Sequence, residues 1–451
     1  MKWIAACSFT LVAMMMALLS GTACSAAAQS VTVNIGRSVA VVNGPWKFHI
    51  GDRPEWAESA FDDSAWETVD LTPAPGAHDS DVGLTSYVSG WNSKGHAGYI
   101  GFAWYRIRID LSAAAGESLA LLGPAAVDST YQVFADGQLL GAAGDFSRPI
   151  PVAYSIQPRV FPLPELSNTA SGGTSILLAF RIWMGPWESG DPTAGGIHIA
   201  PSIGATDGID ARYRLQWLQT VSGYIVEVVE ALLFVLLALM ACSLVPLDRA
   251  KAAYRSIAVA LLLTAIFRAN QAFFYWTQFE SVQDFELLVP VLLIPLIMCM
   301  WLLAWSAWVD SPHRNAIRRI AVALTLIYIG AQFCSGSWFY EVFSHAIRDG
   351  LHLTIKGVRL VFLLGLSYVC ISGLRLQGRE GWLAFAAALL ISIGLFAQEL
   401  SSIGFRGIWF PFGTGVSRTQ FAYAAFDLVL FVLLLRELYR PRPNIIIKSR
   451  T

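Results

Sequence analysis

Polar and apolar positions divide this 451-residue chain into stretches of different rhythm. Between residues 31 and 205, short runs of alternating apolar residues are separated by turn residues. VTVNI, SVAVV, YRIRIDL, SLALLG, TYQVFA, QLLGA and SILLAFRIW are the expected strands. YRIRIDL alternates strictly, with Ile107, Ile109 and Leu111 on one face and Arg106, Arg108 and Asp110 on the other. That period of two predicts an antiparallel strand with one face buried. Asp136-Gly137, between TYQVFA and QLLGA, tolerates positive φ and predicts a hairpin turn, and Asn43-Gly44 predicts another. PEWAESAFDDSAW reads as a short helical turn leading into the strand ETVDL. About eight short strands with little helix predict an all-β domain, a jelly roll or β-sandwich, over 31–205.

After an expected linker over 206–219, the pattern changes to long apolar runs. Segments 222–245, 256–276, 287–309, 318–336, 353–373, 381–399 and 418–436 are each near the length needed to cross a bilayer. The expectation is a seven-helix transmembrane bundle over 220–437, closed by a short basic tail over 438–451. These spans account for a composition that is 55% hydrophobic and only 14% charged, with a mean hydropathy of +0.52. The net charge of −1 gives nucleic acid no purchase.

Residues 1–28 read as a secretory signal peptide. Lys2 supplies the positive start, Phe9 to Leu19 the apolar core, and Ala26, Ala27 and Ala28 the small residues before cleavage near Ala28. Cys24 leaves lipid attachment as an alternative, although Gly21 stands where such signals carry a large aliphatic residue. An uncleaved anchor is the other alternative, against which the apolar run is shorter than the ~20 residues a span needs. Export of residue 31 and seven crossings put the carboxyl terminus inside. Charge placement agrees. Arg249, Lys251, Arg255, Arg314, Arg318, Arg319, Arg375, Arg379 and the tail lie on the expected inner side, whereas Arg348, Arg406 and Arg418 lie on the outer side.

The six cysteines, Cys7, Cys24, Cys242, Cys299, Cys334 and Cys370, fall in the signal or in and beside apolar spans. None lies between 31 and 215, so the exported domain must be held by its core and not by disulfides. No cysteine spacing suggests zinc. His78, Asp79 and Asp81 lack the further oxygens at fixed spacing that calcium requires, so no metal and no cofactor are expected.

Ligand contacts are expected on loops. Gly76 to Gly101 carries Asp81, Tyr87, Trp91, Asn92, His96 and Tyr99, and MGPWESGDPTAGG carries Trp187, Glu188 and Asp191. Aromatic faces stack on sugar rings while carboxylates and amides bond hydroxyls, which singles out Asp81, Trp91, Asn92, Trp187 and Glu188. Packing against the domain rim or the membrane surface is the competing role for these aromatics. Within the spans, Glu227, Glu230, Arg268, Lys356, Arg359, Glu399 and Asp427 are expected to form a polar network, with snorkelling to the headgroups as the alternative for Glu227, Lys356 and Glu399 and a site for a transported ion or small ligand as the third reading. The chain lacks HExxH, GxSxG and phosphate-loop signatures, and no enzymatic activity is expected.

The blocks NGPWKFHIGD, FDDSAWETVDL, GFAWYRIRIDL and VDSTYQVFADGQLLG occur in that order. Through Trp46, Asp63, Trp66, Trp104, Tyr105, Arg106, Asp136, Gly137 and Gly141 they resemble the amino-terminal sugar-binding domain of glycoside hydrolase family 2, a galactose-binding-like jelly roll. The resemblance implies carbohydrate binding without catalysis, since that family keeps its hydrolytic carboxylates in a separate barrel. It leaves Asp62, Asp63 and Trp66 to the scaffold. An exported jelly roll on seven helices further resembles the bacterial seven-transmembrane receptors with diverse intracellular signalling modules. That resemblance implies a plasma-membrane sensor with an extracytoplasmic ligand domain. After Arg436 only ELYRPRPNIIIKSRT follows, so either the output is expected on a separate cytoplasmic partner such as a kinase, cyclase or phosphatase, or the reading frame is a shortened one. A tethered binding module without signalling and a transporter are the alternatives.

Overall fold

The computed structural model describes residues 39–439 apart from 79–84, 112–117, 165–173, 189, 247–250, 341, 378–380 and 406–416. The expected signal peptide with Cys7 and Cys24, the strand VTVNI, Asp79, Asp81 and the tail 440–451 lie outside the described residues.

Among the described residues twelve strands come first, where about eight were expected. They are β1 (Val39–Val41), β2 (Trp46–Ile50), β3 (Glu67–Val69), β4 (Gly101–Leu111), β5 (Leu119–Leu122) and β6 (Ala126–Asp128). Then follow β7 (Thr130–Ala135), β8 (Gln138–Ala142), β9 (Val160–Pro162), β10 (Thr174–Met184), β11 (Gly196–Ile199) and β12 (Ser202–Ala205). One sheet has the order β3-β2-β4-β10-β7-β8, a second the order β1-β12-β5-β9, and β11 pairs with β6. The two larger sheets share one core, to which Trp46, Phe48, Tyr105, Phe180 and Ile182 come from the first and Leu121, Phe161 and Ile203 from the second. The Asp136-Gly137 turn forms as the sequence requires: both residues have positive φ, 46° and 86°, and β7 and β8 pair across it.

β4 keeps its alternation but not its wet face. Residues 54–66 fold over it, and Trp56, Trp66, Trp104 and Ala179 form a second apolar cluster on the outside of the sheet. Trp56 and Trp66 meet edge to face at 5.0 Å. Arg106, expected in solvent, is 1% exposed inside this cover. Its guanidinium donates to the carbonyl oxygens of Trp56 (2.6 Å), Glu58 (3.1 Å) and Phe61 (3.3 Å), and pairs with Asp63 at 2.8 Å. The carbonyls of an irregular segment have no ladder partner, and one planar fork satisfies three of them. Asp62 accepts from Ser64 N at 3.0 Å, which closes the turn that carries Trp66 inward.

Among the described residues eight helices follow: α1 (Thr206–Leu244), α2 (Lys251–Trp276), α3 (Val282–Trp308), α4 (Arg314–Ser335), α5 (His345–Gln377), α6 (Gly381–Leu395), α7 (Ala397–Ser402) and α8 (Arg418–Leu438). Five of them, α1 to α5, are long and apolar enough to cross a bilayer. Leu232, Leu236 and Leu239 on α1, Leu326 on α4, Leu364 on α5 and Leu428 on α8 are exposed. Exposed leucines on long apolar helices are the mark of a membrane-embedded protein.

Two expectations are corrected. The stretch 206–219 is not a linker: α1 starts at Thr206, directly after β12, and Ile209 packs beneath Ala120 and Leu122. α1 has 39 residues, roughly 58 Å of helix, far more than the apolar layer needs. The sixth expected span, 381–399, is not one helix. It breaks at Phe396 (φ −112°, ψ 29°) into α6 and α7. Arg359 of α5 donates to the freed carbonyl of Leu395 at 3.0 Å and pairs with Glu399. Helix α3, finally, widens into a π turn over Leu287–Leu293, where Pro290 has no N–H to give.

Candidate functional site

The β region and the helices are joined by the extended segment 153–159. A helix leaves its last carbonyls and first N–H groups without partners. At the end of α2, Ser155 Oγ donates to Phe274 O at 2.7 Å, and Gln157 Nε2 to Tyr275 O at 3.2 Å and Thr277 O at 3.0 Å. At the start of α3, Val282 N donates to Ala153 O at 2.9 Å. Arg159 Nη2 bonds Gln278 Oε1 between the two helices. One strand-like face, Ser155, Gln157 and Arg159 at every second position, thus closes the turn between two helices more than a hundred residues away. That spacing was the only signal of it in the sequence.

The same segment lines one wall of a cleft of about 480 Å³. Gln157, Arg159 and Phe161 face Asp210, Tyr213 and Trp217 across it. The last three lie at i, i+3 and i+7, one face of the first turns of α1. Two aromatic rings beside a carboxylate, an amide and a guanidinium form the surface that a compact hydroxylated molecule requires. A second, smaller hollow of about 350 Å³ lies between Pro73 to His78 and Thr85 to Ser86.

The loop residues picked from sequence are used elsewhere. Trp91 is 1% exposed in the main core, against Phe48 at 6.0 Å and Tyr99 at 6.1 Å, so neither of its faces is open to a sugar. Asn92 is buried and cross-links two loops, donating to Asp191 O at 2.8 Å and accepting from Gly98 N at 3.1 Å. Trp187 folds back edge to face on Trp183 at 5.4 Å. Asp81 lies outside the described residues. Among the described residues no group of three or more metal-binding side chains converges.

Glu188 is half-buried near a charged pair that sequence reasoning missed. His198 Nε2 meets Asp128 Oδ2 at 2.7 Å, its Nδ1 lies 2.8 Å from Val88 O, and Tyr87 stacks on the ring at 4.5 Å. Gly195 N donates to the same Asp128 oxygen at 2.8 Å. Burial works against both charges, but their mutual attraction prevails, lowering the Asp128 pKa and raising that of His198. Burial, reinforced by the Asp128 charge, pushes Glu188 well above its usual range. The folded state therefore holds protons at His198 and Glu188 that the unfolded chain releases. Their contribution to stability is complete at low pH, and is lost for Glu188 as pH rises above about 4.5 and for His198 as it rises above about 6.5, through their raised values. Asp128 contributes oppositely: its contribution is present above its ordinary value and is lost as pH falls through its lowered one. His198→Gln is expected to cost about 3–5 kcal/mol below neutrality, because it leaves Asp128 buried and unpaired. Thermal unfolding across pH tests this; a variant whose curve runs parallel to the wild type removes the assignment to His198.

The expected intramembrane network separates into two groups. Arg268 of α2 bonds Glu230 at 2.7 Å through Nε and pairs with Glu227 through Nη2, while Gln420 Nε2 of α8 donates to Glu227 at 2.9 Å. Asp427 lies two turns further along that face of α8. Arg359 and Glu399 form the second group at the α6–α7 break, and Lys356 is exposed outside both.

No protein family matches the sequence, and no curated protein is similar to it. Solved structures give partial matches. A β-glucuronidase 2 of Bacteroides uniformis, covalently bound to cyclophellitol-6-carboxylate aziridine, is 22% identical over 37% of this chain and 18% of its own, with a TM-score of 0.27. A glycosyl hydrolase family 2 member of Bacteroides cellulosilyticus is 18% identical over 38% of this chain and 20% of its own, with a TM-score of 0.24. A Bifidobacterium dentium β-glucuronidase complexed with coumarin-3-O-glucuronide is 18% identical over 32% of this chain and 20% of its own, with a TM-score of 0.22. The chain thus spans no more than about a fifth of those enzymes, and the likeness is confined to its N-terminal part.

Proposed function

We propose that this chain is a receptor-like membrane protein in which a carbohydrate, bound by the β region, is sensed by the helices beneath it. The observation that carries this reading is the cleft with one wall from the β region and the other from α1. A ligand held there touches both, and Arg159 in its wall also holds the α2–α3 turn. A ligand shifts a conformational equilibrium only through contacts that differ between the two states, and a cleft between two units can supply them. The unbroken passage from β12 into α1 adds a stiff connection.

In this reading α1 to α6 and α8 cross the plasma membrane, the β region is extracytoplasmic, and the carboxyl terminus faces a separate cytoplasmic partner. The placement of arginine and lysine supports that orientation. The role is binding and not catalysis. Asp210 is the one carboxylate among the cleft's lining residues, whereas glycoside hydrolysis commonly takes a pair.

The test uses the full-length chain in lipid nanodiscs with a panel of mono- and oligosaccharides. A binding sugar is expected to raise the unfolding temperature saturably, and Trp217→Ala to weaken it about tenfold, the loss of one stacked ring. Hydrogen exchange then reads the coupling, as ligand-dependent protection at Phe274 to Glu286. A panel in which no sugar shifts the wild type defeats the proposal. Binding without protection of that turn leaves only a membrane-tethered binding module.

A further inference from the structure

We propose that the helical bundle holds one exchangeable positive charge, a proton or a small alkali cation, between the Asp427 and Glu230 carboxylates. The argument is one of charge and partners, and it is independent of what the β region binds. Asp427 lies midway along α8 and is 7% exposed, and neither of its carboxylate oxygens has a hydrogen-bond partner. Glu230, which is close enough to act on it by charge, is 2% exposed and has one oxygen, Oε1, without a partner.

Among the described residues, the surrounding elements offer Asp427 no cation of its own. On α1 the ionisable neighbours are Glu227 and Glu230, and both are bound to Arg268 of α2. α6, which packs along α8, has no charged residue in Gly381–Leu395. α3 reaches α8 through Trp301, which meets Phe426 at 5.2 Å, and Ile294–Trp308 carries no charge. On α8 itself, Gln420 is spent on Glu227, and the Tyr423 ring lies 4.9 Å from the Arg268 guanidinium. Three carboxylates therefore share one guanidinium in a place where an uncompensated charge is too costly to keep. Glu227 has an amide donor in addition to Arg268. The two remaining unpartnered groups, Asp427 and Glu230 Oε1, are where a further positive charge completes the set.

The test is thermal unfolding of the full-length chain in nanodiscs, as wild type and Asp427→Asn. One arm varies pH at constant sodium, and the other exchanges sodium for choline at constant pH and ionic strength. Wild type is expected to gain stability with the occupying cation, its folding equilibrium moving by up to about tenfold per tenfold change in activity. Asp427→Asn is expected to lose that component. Response in the pH arm alone, with an infrared band of a protonated carboxyl absent from the variant, identifies a proton. Response in the sodium arm alone identifies an alkali cation. Identical curves for the two proteins in both arms overturn the proposal. If Asp427→Asn yields no folded protein, Glu230→Gln takes its place, and an unchanged response in that variant overturns it equally.

Discussion

Arg268→Met in the full-length chain is expected to destabilise the protein by about 3–5 kcal/mol, the cost of removing one partner from a buried charge set. Arg268 is fully enclosed. It bonds Glu230 at 2.7 Å and Gln271 at 2.6 Å, pairs with Glu227, and lies over the Tyr423 ring at 4.9 Å. Without it, Glu227 and Glu230 stay in the bundle as like charges one helical turn apart, and α1, α2 and α8 lose the group that joins them. The set can instead be neutralised together. The triple variant Glu227→Gln, Glu230→Gln, Arg268→Met is expected to recover most of the loss, because buried ion sets are often replaceable as a unit. Unfolding temperature and monodisperse yield measure both. The explanation fails if the triple variant is no better than the single one.

Arg106 is the second large effect. Arg106→Ala is expected to cost about 3–5 kcal/mol, since it strips three backbone carbonyls and Asp63 of their common partner. Arg106→Lys should recover little, although the charge is kept: a single ammonium cannot span Trp56, Glu58, Phe61 and Asp63 as the fork does. The loss should be local at first. Limited proteolysis is expected to open within residues 54–66 before the sheets separate. A lysine variant as stable as the wild type contradicts this account.

What sequence reading reached and what it missed follow from one physical distinction. YRIRIDL was legible as a strand because side chains of a strand alternate whatever surrounds them. Asp136-Gly137 was legible because positive φ is a property of the two residues. Most of the apolar helices were legible because a long apolar run must be covered by lipid or protein. The break at Phe396 was not, because an arginine 36 positions away provides the partner for the freed Leu395 carbonyl. Trp91 and Asn92 looked like site residues because they sit in a polar loop, yet the loop at Asp191 to Gly195 closes over them. Exposure is settled by what covers a residue, which its own neighbours in sequence do not encode.

The sequence by itself determined the two-part plan, an alternating β region ahead of long apolar helices, and the local turns within it. It also identified most of the ionisable residues that the helices bury, because charge inside an apolar run is visible without coordinates. Only the tertiary structure decided which charges meet, that 206–219 is helix and not linker, and that Arg106 belongs to an interior. It also placed Gln157 and Arg159 opposite Tyr213 and Trp217 in one cleft. Periodicity and turn chemistry act over a few residues, whereas pairing and burial are decided by contacts such as Ser155 with Phe274, which only the folded chain brings within reach.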